Sequence, residues 1–159
     1  MTLKEMSEIF SVFLVAYPSA EMFKGGSQKL ETTIRLWTAA VPEINFNVGQ
    51  EAAIELCRTC KFPPTIAEFL EVAERITSER KMWAFMDWQD VRRWLSTGGP
   101  ELVGKKLDGD SRSKRAIVAL GGLKALSAGR IRYDDFEQAY IGSGKAALPS
   151  SGRKQIGGT

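Results

Sequence analysis

The sequence contains no histidine, and that single absence removes Ser/His and Cys/His nucleophilic schemes together with most mixed metal sites. Any catalysis would fall to carboxylates, lysines, tyrosines or thiols alone. There are only two cysteines, too few for a disulfide framework, so a reducing cytoplasm is the expected compartment. No run approaches the roughly 18 to 20 apolar residues of a membrane span. The longest apolar patch, residues 11–16, has charge on both sides. The opening Met1-Thr2-Leu3-Lys4-Glu5 mixes acid and base into an amphipathic pattern and lacks a charged-then-apolar leader, which also points away from secretion. No segment alternates with period two long enough to mark a strand, and no internal repeat is visible.

What is present suits one ordinary domain, or one domain with a small appended unit and a tail, in 159 residues. Eight Phe, four Trp and three Tyr are ample for a packed interior. The net charge of +3 hides an asymmetry: nine Lys and Arg face thirteen Asp and Glu in residues 1–91, and thirteen face six in residues 92–159. The halves therefore carry −4 and +7, and the second half suits an acidic partner. Chance segregation in a short chain is the plain alternative.

Apolar residues at Met6, Ile9, Phe10, Phe13, Leu14 and Tyr17 fall on one helical face that ends at Pro18. Ser27 is a candidate cap for a second helix carrying Leu30, Ile34, Trp37 and Val41, and Asn47 for a third carrying Ala53, Leu56, Cys57 and Cys60. After the non-helical Lys61-Phe62-Pro63-Pro64, the run Thr65-Ile66-Ala67-Glu68 is a capping box that opens a fourth helix, expected to end near Met82 or Trp83. A further helix is expected from Asp87 to the Gly98-Gly99-Pro100 break. Another runs from Ser113 to Leu120, with a continuation after Gly121-Gly122, and a last one carries Tyr133, Phe136 and Tyr140 to about Gly142. The fold expected is all-α: an antiparallel helical bundle over residues 1–80, a second small helical unit over 81–141, and a disordered tail over 142–159.

Each chemical signal has a structural competitor. Cys57-Arg58-Thr59-Cys60 is a C-x-x-C with no second pair, and it closes a helix at the negative dipole end, where a thiolate is disfavoured. Asp134-Asp135 opens a helix, where acids serve the dipole, and the Asp108-x-Asp110 loop lacks the spacing of a calcium site. Gly142-Ser143-Gly144-Lys145 resembles the end of a phosphate-binding loop, but Ala139 and Ala146 stand where Gly and Ser or Thr are required. No cofactor, metal or enzymatic activity is expected. The aromatic cluster Trp83, Phe85, Met86, Trp88 and Trp94 divides between core and partner contact, since residues at these spacings cannot all point one way. Arg92, Arg93, Lys105, Lys106, Arg112, Lys114 and Arg115 are candidates for contacts with an acidic partner, phosphate included, or for a solvated face.

The opening helix ending in Tyr17-Pro18, the helix centred on Trp37, the small-residue helix with Ala52-Ala53 and the connector Phe62-Pro63-Pro64-Thr65-Ile66-Ala67-Glu68-Phe69 together resemble the phage replicative-helicase loader/inhibitor family, over residues 3–76. The resemblance implies a helical N-terminal domain and a non-enzymatic protein of a bacterial host cell. Such a protein binds a ring-shaped hexameric replicative helicase, holds it inactive and delivers it to the origin complex, with DNA or an origin-binding protein as further partners. From Trp88 onward the chain departs from the short loaders, with Leu120-Gly121-Gly122 and Phe136-x-x-x-Tyr140 resembling the small helical C-terminal unit of longer phage replication accessory proteins. Competing readings are a DNA-binding or transcriptional accessory protein that uses the basic half, and a self-assembling structural phage component.

Overall fold

A computed structural model describes residues 1–41, 43–107 and 109–144. Among them the chain forms seven α-helices, one short 3-10 turn (Glu21–Phe23) and no strand, the all-α class that the apolar spacing predicts. Helix α1 (Leu3–Ala16) begins on a reciprocal cap: the Thr2 hydroxyl accepts from the Glu5 amide at 3.3 Å, and the Glu5 carboxylate accepts from the Thr2 amide at 2.7 Å. Two amides that would lack helical partners are satisfied in this way. Its buried face is Met6, Ile9, Phe10 and Phe13.

Helix α2 (Gly26–Ala40) starts one residue before the expected cap Ser27. Gly25 precedes it at φ 113°, a left-handed conformation that a side chain would resist, so backbone freedom and not a hydroxyl sets the start. Helix α3 (Phe46–Thr59) is capped by Asn45, whose side-chain oxygen accepts from the Asn47 amide at 3.0 Å, two residues before the cap expected. Tyr17, at the end of α1, donates its hydroxyl to the carbonyls of Leu56 (3.3 Å) and Cys60 (3.0 Å) and so ties α1 to the last turn of α3.

Helix α4 (Ile66–Lys106) opens on the capping box predicted for it, with Thr65 and Glu68 bonded reciprocally at 2.7 and 3.3 Å. It does not end near Met82, and Asp87 does not start a new helix. Ala73, Ile76, Arg80, Ala84, Trp88 and Val91 form one continuous buried stripe at spacings of three and four, with no Gly or Pro to interrupt it. Asp87 instead accepts a hydrogen bond from the Ser113 hydroxyl. The Gly98-Gly99-Pro100 break is a kink: Gly99 adopts φ 67°, ψ −169°, and helical backbone resumes from Pro100 to Lys106.

Helices α5 (Arg112–Ala119, capped by Ser111), α6 (Gly122–Ser127, entered through Gly121 at φ 101°) and α7 (Tyr133–Gly142) complete the described chain. Two cores result. In the first, Trp37 stands edge-on to Phe10 (5.3 Å between centroids) and Phe69 (5.5 Å), with Phe13 beside them. Burial of each large side chain contributes on the order of 1.5 to 3 kcal/mol. Leu30, Ile34 and Leu70 pack half-buried against it. In the second, Trp88 and Val91 meet Val103, Ile117, Leu126, Phe136 and Tyr140.

Position 80–81, where the sequence suggested a division, lies inside α4, which contributes side chains to both cores. Ile141 at the end of α7 is buried in the first core. Of the tail expected from residue 142, Gly142 to Gly144 are half-buried, and the Gly142 carbonyl accepts from the Asn47 side chain. The disorder expected over residues 145–159 lies outside the described residues.

Candidate partner-binding surface

An α-helix turns about 100° per residue, so a helix passing through two cores from one side must expose its opposite face. On α4 that face carries Met82, Trp83, Phe85 and Met86, each about half exposed (49 to 53%). Trp88 turns the other way. It is buried, with its ring 5.0 Å from Phe136 and 6.4 Å from Tyr133. Of the three aromatic candidates, Trp83 and Phe85 are therefore surface rings, and Trp88 packs the second core. Phe85 leans edge-on against Tyr133 at 6.1 Å, which fixes that ring at low entropic cost to any contact it makes. Two residues apart, Trp83 and Phe85 sit on opposite flanks of the exposed face, with Met82 and Met86 between them. Adaptable thioethers flanked by flat rings match the composition of interface anchors. Met82 escapes a reading of the sequence because its exposure depends on where the second core sits.

The basic candidates separate by what they already touch. Arg112 is half-buried and reaches the Glu51 carboxylate at 3.4 Å. Arg115, also half-buried, holds the Asp110 carbonyl (2.6 Å) and carboxylate (2.8 Å) across the α5 entry. Arg93 pairs with Asp90 at 2.7 Å in the open, where such a pair contributes little. Arg92, Lys105, Lys106 and Lys114 are exposed. Lys105 and Lys106 lie in the last turn of α4, where a cation meets the negative end of the helix dipole. Arg112 and Arg115 are thus engaged in holding α5, and the other five stand at the surface.

The seam between the two cores is polar. Arg80, almost fully buried, donates to the Ile141 carbonyl and to the Glu51 carboxylate, which Arg112 also approaches. Burial holds the Arg80 guanidinium below its ordinary value, with Glu51 opposing that shift. No local pattern announces this arrangement, because its partners lie far apart in the chain.

The Cys57 thiol is pushed up by burial, the reverse of what a reactive thiol needs. Among the described residues no group of three His, Cys, Asp or Glu side chains is placed to hold a metal ion, and no helix is long and apolar enough to cross a membrane.

Residues 1–70 match the family model for the N-terminal domain of the phage SPP1 helicase loader/inhibitor. This is the family whose resemblance the Trp37 and Pro63-Pro64-Thr65 segments carry. The match takes in α1, α2, α3 and the start of α4, and with them most of the first core. The exposed face of α4 and the whole second core lie beyond it. No curated protein and no solved structure matches the chain.

Proposed function

We propose, from the premise that residues 1–70 match the N-terminal domain of a phage helicase loader/inhibitor, that this protein is a non-enzymatic phage replication accessory protein. It binds a replicative hexameric helicase and loads it, inhibits it, or does both. The observation that carries this reading is the family match over the segments that build the first core. The exposed Met82, Trp83, Phe85 and Met86 on α4 support it, since they offer an apolar anchor outside that core. In this reading residues 1–80 provide shape and apolar specificity. Residues 81–141 provide the α4 anchor and, through Arg92, Arg93, Lys105, Lys106 and Lys114, electrostatic attraction to an acidic face of the ring.

The test is binding of the full chain to purified phage and host replicative helicases, read by light scattering and by helicase ATPase and unwinding rates. A complex that survives moderate salt and changes those rates is expected. A second reading, attachment of the basic half to duplex DNA, rests on the exposed Arg92, Lys105, Lys106 and Lys114. It requires DNA affinity that falls steeply with salt. That behaviour, with no binding to either helicase, would overturn the helicase reading.

A further inference from the structure

A cleft of about 690 Å³ opens where the connector before α3 meets α4 and α7. Its floor is apolar, built by Val41, Ile44, Leu70, Ala73 and Ile141. Among the described residues its rim carries two carboxylates, Glu43 and Glu74, against one cation, Lys81. Such a groove suits a short chain segment with small apolar residues and positive charge.

The described chain ends beside it. The Asn47 side chain donates to the Gly142 carbonyl, and Gly144 passes so close to Asn47 that an added Cβ would lie 2.8 Å from its side chain. Both contacts fix the exit of the chain at the N-terminus of α3, next to Asn45 and Ile44, which line the cleft. The residues that follow, 145–159, contain Lys145, Arg153 and Lys154, no acid, and the apolar set Ala146, Ala147, Leu148 and Ile156. Fifteen residues reach up to about 50 Å when extended. The stretch of α4 from Leu70 to Lys81 that walls the cleft is only about 17 Å long.

We propose that residues 145–159 fold back along this cleft as its occupant, with Leu148 on the apolar floor and Arg153 and Lys154 facing Glu43 and Glu74. Tethering makes the contact intramolecular, at an effective concentration in the millimolar range, so a weak interaction suffices. The segment is then held against its own fold until a competing acidic or apolar surface draws it away.

The experiment uses the full chain alone, so its outcome does not depend on the helicase reading. A nitroxide is placed at Ile156→Cys in a Cys57→Ala/Cys60→Ala background, and amide signals are compared with the label oxidised and reduced. Ile44, Thr77 and Gln138 are expected to lose most of their intensity, and Glu43→Lys/Glu74→Lys to restore it. The proposal is overturned by equal intensities, by losses confined to α5 and α6, or by losses that arise only between isotope-labelled and spin-labelled molecules, which would place a second copy's segment in the cleft. A measurement that keeps both cysteines guards against a misfolded background: ending the chain at Gly144 should shift the same three amides. Unchanged positions would also refute the docking.

Discussion

Arg80 on α4 donates to the backbone carbonyl of Ile141 at the end of α7, across 61 residues of sequence, while its other amino group binds Glu51 on α3. The Arg80 side chain is 2% exposed and that of Glu51 is 48%. Water therefore screens one partner and hardly reaches the other. Removing Glu51 leaves a buried charge with one neutral acceptor, whereas removing the charge itself leaves only an unpaired carbonyl. Glu51→Ala is expected to cost about 2 kcal/mol, discounted for the exposure of the carboxylate. Arg80→Met should cost less, and the double variant should lie near Arg80→Met. Urea midpoints of the three would show this, and strictly additive costs would mean that the pair is not coupled.

Trp37 sits between Phe10 and Phe69 with 4% of its surface exposed. Trp37→Ala should cost about 3 to 5 kcal/mol through lost burial and the cavity left behind. Denaturation followed by circular dichroism reads the change, and a neutral result would contradict the placement of α2.

Trp83 and Trp88 lie five residues apart on one helix and should respond oppositely. Trp83→Ala leaves the fold within about 0.5 kcal/mol, while Trp88→Ala opens the second core at about 3 kcal/mol or more. In helicase binding, Trp83→Ala with Met86→Ala should speed dissociation. Arg92→Glu with Lys105→Glu and Lys106→Glu should slow association by an amount that added salt erases. Surface-coupled kinetics at two salt concentrations separate the two effects. A basic-residue variant that changes only dissociation would refute the division of labour.

Two tyrosines are expected to make the protein sensitive to alkali. Burial, with the Glu137 hydrogen bond adding to it, pushes Tyr133 up to about 12, and burial beside Asp87 pushes Tyr140 up to about 12, from 10.0. Each phenol is neutral in the folded state where the unfolded chain has already ionised, so the unfolded state binds fewer protons. Their contribution to stability is complete below pH 10 and is lost as pH rises toward about 12. Melting temperatures across that window should fall steeply for the parent and less steeply for Tyr133→Phe/Tyr140→Phe. Parallel slopes would show that other groups control the alkaline limit.

What the sequence disclosed was local. The Thr65 and Glu68 box is a contact over three residues, and it lies where the pattern places it; the same three-residue pattern stands at Thr2 and Glu5 and forms the same cap. Asp87 misleads because an acid followed by another three residues on imitates a cap. Its oxygen is taken instead by Ser113, 26 residues away, which only the docking of α5 on α4 reveals. The basic candidates are identifiable as a group, but the internal ties of Arg112 and Arg115 depend on where Glu51 and Asp110 fall. The seam at Arg80 has no sequence signature, since arginine in a helical pattern reads as solvent-facing.

Because the part of α4 before its kink at Gly99 is one rod that walls both cores, melting either half strips apolar cover from the other. A ligand that grips only the first seventy residues would thus also slow hydrogen exchange around Trp88 and Phe136. At a hundredfold excess over its dissociation constant such a ligand adds about 2.7 kcal/mol to the folded state, and the shared rod passes part of that protection to a region the ligand never touches.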